Sequence, residues 1–152
     1  MTASGLVALE KELRQLKFTD RHEVIKAIEV AREHGDLSEN AEYHAAREKQ
    51  SFIEGRVLEL ESVISLADVI DPTKLSGDIV RFGATIKLAD EDTDEKSTFQ
   101  IVGTYEADID NGLLSVTSPT ARALIGKSLG DSVEVTTPGG SKSYEIIKVD
   151  YK

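Results

Sequence analysis

The sequence predicts a two-domain α+β protein: an N-terminal antiparallel α-helical coiled-coil hairpin, then a small antiparallel sheet with one short helix. Three observations predict it. Apolar residues recur at alternating steps of three and four as far as Ala67, the spacing of a helical seam. A short polar stretch, His34-Gly35-Asp36-Leu37-Ser38, divides that half into two runs, and so short a turn forces two helices antiparallel. After Asp71-Pro72 the apolar period drops to two, which is the period of half-buried strands.

The first helical run carries Leu6, Leu9, Leu13 and Leu16. The same spacing would next reach Asp20 and Glu23, so the phase fails and resumes one position later with Val24, Ile28 and Ala31. A kink or short loop at Phe18-Thr19-Asp20-Arg21 is expected, with Asp20 and Glu23 at the spacing of a capping box. Gly35 suits a helix C-terminal position of positive φ, and Asp36 or Ser38 is placed to start the next helix. The second run, Tyr43, Ala46, Gln50, Ile53, Val57, Leu60, Ile64 and Ala67, is unbroken. Each arm of roughly 28 residues reaches about 40 Å at helical rise.

Pro72 and Gly77 bracket a connector, so the hairpin is assigned to residues 1–74 and the globular domain to residues 75–152. Strand candidates are 79–82, 84–88, 98–102, 113–116, 132–135 and 144–149, with turns at Asp90–Glu95, Asn111-Gly112 and Pro138-Gly139-Gly140. One helix interrupts them: Ser118 as N-cap, Pro119 at its first position, Gly126 closing it.

Composition narrows the function. With 18 Lys+Arg against 28 Asp+Glu the net charge is −10, which repels phosphate and disfavours autonomous DNA or RNA binding. Trp is absent and aromatics are 5% of the chain, too few for a base-stacking platform. No cysteine is present, so disulfides and thiolate metal sites are excluded. No apolar run reaches the ~18 residues of a membrane span and no secretory signal opens the chain, so a cytoplasmic protein without membrane contact is expected.

Asp36 and Glu39 lie at the bend, as far from the globular half as the hairpin extends. Their spacing of three is that of a capping box, and acids near a helix start also gain from its dipole. Two carboxylates alone make a poor Mg²⁺ cage, but Mg²⁺ is commonly held by one or two carboxylates together with phosphate oxygens and water. A cap that stiffens the tip and a pair of acids offered to a partner's metal are compatible uses of the same residues.

The string from Ala31 to Glu48, ARE-HGDLSENAEYHAARE, resembles the hairpin tip of the bacterial transcript-cleavage factors of the GreA/GreB family. The likeness continues through Val69-Ile70-Asp71, Phe82-Gly83-Ala84-Thr85, Ile101-Val102-Gly103, Leu114 to Lys127 and Thr137-Pro138-Gly139-Gly140, in matching order over the whole chain. The resemblance implies a coiled-coil hairpin joined to an FKBP-like domain. It implies a monomer that docks at the rim of the secondary channel of RNA polymerase and inserts the hairpin. There Asp36 and Glu39 help hold a catalytic Mg²⁺ of the polymerase, which cleaves its own backtracked transcript. The factor is then no enzyme itself and binds no cofactor stably. By the same resemblance Arg32 and Arg47 form a basic patch near the 3′ portion of the nascent RNA. Leu37, Ser38, Asn40 and Tyr43 support the tip, and Ser118, Pro119 and Arg122 contribute to docking. His22 replaces a common family proline and Ser38 a lysine.

Three other functions fit less well. A channel-binding polymerase inhibitor of the same fold would not need the Asp-Leu-Ser-Glu-Asn string. A peptidyl-prolyl isomerase needs an aromatic-lined pocket, and this half offers only Phe82, Phe99, Tyr105, Tyr144 and Tyr151. A coiled-coil chaperone has no use for an acid-tipped hairpin.

Overall fold

A computed structural model describes residues 1–35 and 40–152. Contacts divide the chain into two compact units, Leu6–Ala67 and Met1–Gly5 with Asp68–Lys152. The described elements begin with α1 (Ala3–Gln15), a π turn (Leu16–Asp20), α2 (Arg21–Arg32) and α3 (Ala41–Ser65).

The helical unit follows the seam. Leu9, Leu16, Val24, Ile28 and Ala31 are buried on one arm, and Ala46, Ile53, Val57 and Leu60 on the other. The one-residue slip in phase is absorbed differently from the expected kink. Leu16–Asp20 forms a π turn, in which the Arg21 N–H donates to the Leu16 carbonyl, five residues back. A π turn holds one residue more than an α turn, so the chain takes up the extra position without breaking the helix. Asp20 is helical and makes no side-chain cap, so the expected box with Glu23 does not form. Its carboxylate instead accepts from Gln15 Nε2 at 3.1 Å.

Charge pairs fix the antiparallel register. Arg21 meets Glu54 through two nitrogens at 2.7 and 2.9 Å. Arg56 meets Glu12 at 2.8 and 3.1 Å, and Lys17 meets Glu61 at 3.1 Å. The hydrogen bond to Glu12 is the chief cause of a raised pKa at Arg56, and that to Glu54 plays the same part for Arg21. Such exposed pairs add little stability singly, but a reversed or slipped arm would lose all of them together.

In the other unit, β1 (Thr85–Asp90), β2 (Lys96–Val102), β3 (Leu113–Ser115), β4 (Ser132–Thr137) and β5 (Gly140–Asp150) form one sheet in the order β3-β2-β1-β5-β4. The sheet is mixed rather than wholly antiparallel, because β2 and β3 run parallel. Alternation along a strand carries no direction, and the ten residues from Gly103 to Gly112 allow a crossover where a two-residue turn would force a hairpin. The stretch 79–82 is not a strand. Val80 is fully buried, but its backbone pairs with the turn after the short helix, donating to Lys127 O at 2.8 Å and accepting from Gly126 N at 2.9 Å.

That helix, α4 (Pro119–Leu124), covers one face of the sheet with Ala121 and Leu124, packed against Ile86, Leu88, Ile101, Val135 and Ile146. The first residues of the chain join this unit as well. Ile70 N donates to Met1 O at 2.8 Å, and Ala3 N to Ile70 O at 3.2 Å. Glu106 gathers the Thr2 amide at 2.9 Å, the Thr2 hydroxyl and the Gly103 amide at 2.7 Å. Residues 1–5 and 68–74, counted with the hairpin on sequence, therefore pack with the sheet.

Candidate functional site at the hairpin tip

The tip is built from two helix ends. On the first, Ala31 is buried in the seam, Glu33 N and His34 N wind back onto Val30 O and Ala31 O at 3.2 Å each, and Gly35 takes φ +104°. That left-handed conformation ends the helix where the sequence placed its end. On the second, the cap of α3 is Asn40, with extended backbone, and the Tyr43 amide donates to its Oδ1 at 3.0 Å. The helix expected to start at Asp36 or Ser38 thus starts at Ala41. Asn is among the strongest N-caps, contributing about 1 kcal/mol over Ala.

Asn40 does more than cap. Its Nδ2 donates to Ala31 O at 2.7 Å, so one side chain joins the start of α3 to the last turn of α2. A second link lies beside it: the Arg32 guanidinium carbon stands 5.9 Å from the centre of the Tyr43 ring, a cation–π contact between the same two helices. Tyr43 also meets His44 edge-on, with ring centres 5.6 Å apart. Arg47 is exposed one turn along α3 from Tyr43.

Asp36, Leu37, Ser38 and Glu39, with the capping box expected of the two acids, lie outside the described residues. The structure therefore brings together three of the anticipated residues, Arg32, Asn40 and Tyr43. Neither the cap at Asn40 nor its bond to Ala31 was anticipated; nothing in spacing reveals a carbonyl nine residues upstream as a partner.

The anticipated docking residues belong to α4 and its cap. Ser118 Oγ accepts from the Ala121 amide at 3.2 Å, and Pro119 occupies the first turn. Pro119 and Arg122 are exposed. Among the described residues no cluster of His, Asp and Glu could hold a metal, and no helix is long and apolar enough to cross a membrane.

Known proteins resemble this sequence over nearly its whole length. Residues 1–69 match the family described as transcription elongation factor, N-terminal, and residues 75–151 match transcription elongation factor, GreA/GreB, C-term. Transcription elongation factor GreA of Ruegeria pomeroyi is 70% identical over 151 residues, covering 99% of this chain and 96% of that protein. The GreA of Cereibacter sphaeroides strain ATCC 17025 is 64% identical over the same length and coverage. The GreA of Rhodospirillum rubrum is 63% identical, again with 99% and 96% covered. These matches define the class as a transcription elongation factor, a protein that acts on RNA polymerase and is not itself an enzyme. The chain belongs to the GreA/GreB family.

Proposed function

We propose that this factor rescues arrested transcription by inserting its hairpin through the secondary channel of RNA polymerase and offering Asp36 and Glu39 to the Mg²⁺ of the active centre. The polymerase then cleaves its own backtracked RNA. What supports the reading most is the clamped hairpin mouth. Asn40 and the Arg32–Tyr43 cation–π contact tie α2 to α3 on either side of the four residues that include both acids.

The donor set suits the ion. Two carboxylates are hard oxygen ligands and fill two positions of an octahedron, leaving the rest to the polymerase, the RNA phosphates and water. Mg²⁺ so held would supply charge neutralisation at the scissile phosphate and a more acidic bound water. Asp36 and Glu39 raise occupancy without needing tight affinity of their own. Arg32 and Arg47 meet phosphates of the RNA 3′ portion. Pro119 and Arg122, exposed on the sheet unit, together with Ser118, take part in docking at the channel rim. The protein works as a monomer in the cytoplasm, alongside the transcription machinery.

A titration tests the metal role. Wild-type factor should lower the Mg²⁺ concentration at which a backtracked complex reaches half its maximal cleavage rate. Glu39→Gln should leave that concentration where polymerase alone has it. An unchanged midpoint with wild-type factor overturns the reading.

A further inference from the structure

We propose that the open face of the sheet carries a binding site for a diphosphate group, seated among Lys87, Lys148, Lys152, Thr85 and Thr98. The site is independent of the chemistry at the hairpin tip. It begins with an irregularity in β5. Lys148 pairs with Lys87 but Ile146 pairs with Leu88, so Ile147 is an extra residue, a β-bulge. Residues two apart on a regular strand share a face. Across this bulge they do not: Tyr144 and Ile146 pack with the core before it, Val149 and Tyr151 after it. Lys148 and Asp150 are thereby turned onto the face that α4 leaves open, and Lys152 joins them there.

On that face Lys87 stands opposite Lys148 on one neighbouring strand and opposite Thr98 on the other, while Thr85 stands opposite Asp150. Thr85, Lys87, Thr98, Lys148, Asp150 and Lys152 line a recess of about 210 Å³. Like charges opposed across strands are destabilising unless something neutralises them. Lys148 has Asp150 at 3.3 Å. Lys87 is half-buried, and among the described residues no carboxylate pairs with it or with Lys152. Three ammonium groups thus share one carboxylate in a molecule of net charge −10. No apolar or aromatic side chain lines the recess, so neither an apolar ligand nor a stacked base suits it. Its volume is below the ~300 Å³ at which pockets for drug-sized ligands begin. An anion must also compete with Asp150 for Lys148, which favours one of several charges. Diphosphate meets each demand: its oxygens accept from ammonium and hydroxyl donors, and its two phosphoryl groups engage Lys87 and Lys148 together. The acidic body opposes approach from afar, but physiological salt screens that field beyond about 8 Å, inside which the lysines dominate.

The test is a titration of the full chain with sodium diphosphate, sulfate and ADP, without Mg²⁺ and at fixed ionic strength, followed by backbone amide NMR. Diphosphate should shift Thr85, Lys87, Thr98 and Lys148 along one saturable curve, and sulfate should bind about tenfold or more weakly. Lys87→Gln should weaken diphosphate binding by about tenfold. Asp150→Asn should tighten it, because Lys148 is then released, and a damaged fold would not give that sign. ADP binding no tighter than diphosphate assigns the site to the free anion, and tighter ADP binding assigns it to a nucleotide; either supports the site. Shifts that grow without saturating, sulfate as tight as diphosphate, unchanged affinity in Lys87→Gln, or binding that Asp150→Asn fails to tighten each overturns it.

Discussion

The cation–π contact with Tyr43, at 5.9 Å, steers the Arg32 guanidinium without a hydrogen bond to the ring, so the contact itself consumes none of its donors. Tyr43→Phe should therefore leave cleavage unchanged, since the ring is retained. Tyr43→Ala should slow cleavage of long backtracks as much as Arg32→Ala does, and by about tenfold less on the shortest ones. Cleavage rates measured over a series of RNA extrusion lengths check this, and equal loss at every length would count against the patch. At this scale the sequence was only partly legible. Resemblance singled out Asn40 as tip support, but the cap was expected at Asp36 or Ser38 and stands at Asn40. The tie from Asn40 to Ala31 and the seat of Arg32 on Tyr43 are contacts across a fold-back, which no local spacing encodes.

Helices were easier to read than strand directions. The seam positions on both arms are buried or half-buried where the three-and-four spacing put them, and the slip after Leu16 marks the π turn to within a residue or two. What spacing could not tell was whether the extra residue breaks the helix or is absorbed. Phe18 in that turn is 67% exposed, so deleting it removes little packing. It also brings Val24, Ile28 and Ala31 into phase with the seam of the first arm, with Arg21 at the position between Leu16 and Val24. The deletion variant should fold with equal or greater helicity and an unchanged or higher Tm, by circular dichroism; a cooperative loss of helix would show that the bulge is required. Leu60, fully buried in α3, sits at the other extreme. Leu60→Ala should destabilise the protein by ~2–5 kcal/mol in urea titration. In the sheet, β3 was recognised as a strand, but its parallel pairing depends on the crossover from β2, which alternation does not report. The connector before the sheet has its own pH signature. The Thr73 hydroxyl at 2.6 Å and amide at 3.0 Å hold the Asp71 carboxyl below the usual carboxylate value. A depressed folded value means that the contribution is present above the unfolded pKa and lost as pH falls through the folded one, that is, below about pH 4. Thr73→Val should move the Asp71 titration upward by NMR.

As a whole the molecule carries a charge of −10, yet its proposed work is done beside a polyanion. The two facts agree if contact with RNA is confined to the tip and affinity comes from protein–protein docking. The free factor should then neither retain RNA at physiological salt nor cut it, whereas Arg122→Ala should raise the concentration needed for half-maximal stimulation and leave the saturated rate alone. The central claim is that two carboxylates on the hairpin complete a metal site belonging to the polymerase. The most direct measurement is the cleavage rate of a defined backtracked complex saturated with Asp36→Asn factor, with binding verified by competition against wild type. The account predicts wild-type competition and a rate no faster than polymerase alone. Cleavage at the wild-type rate by the bound, neutralised tip would contradict it.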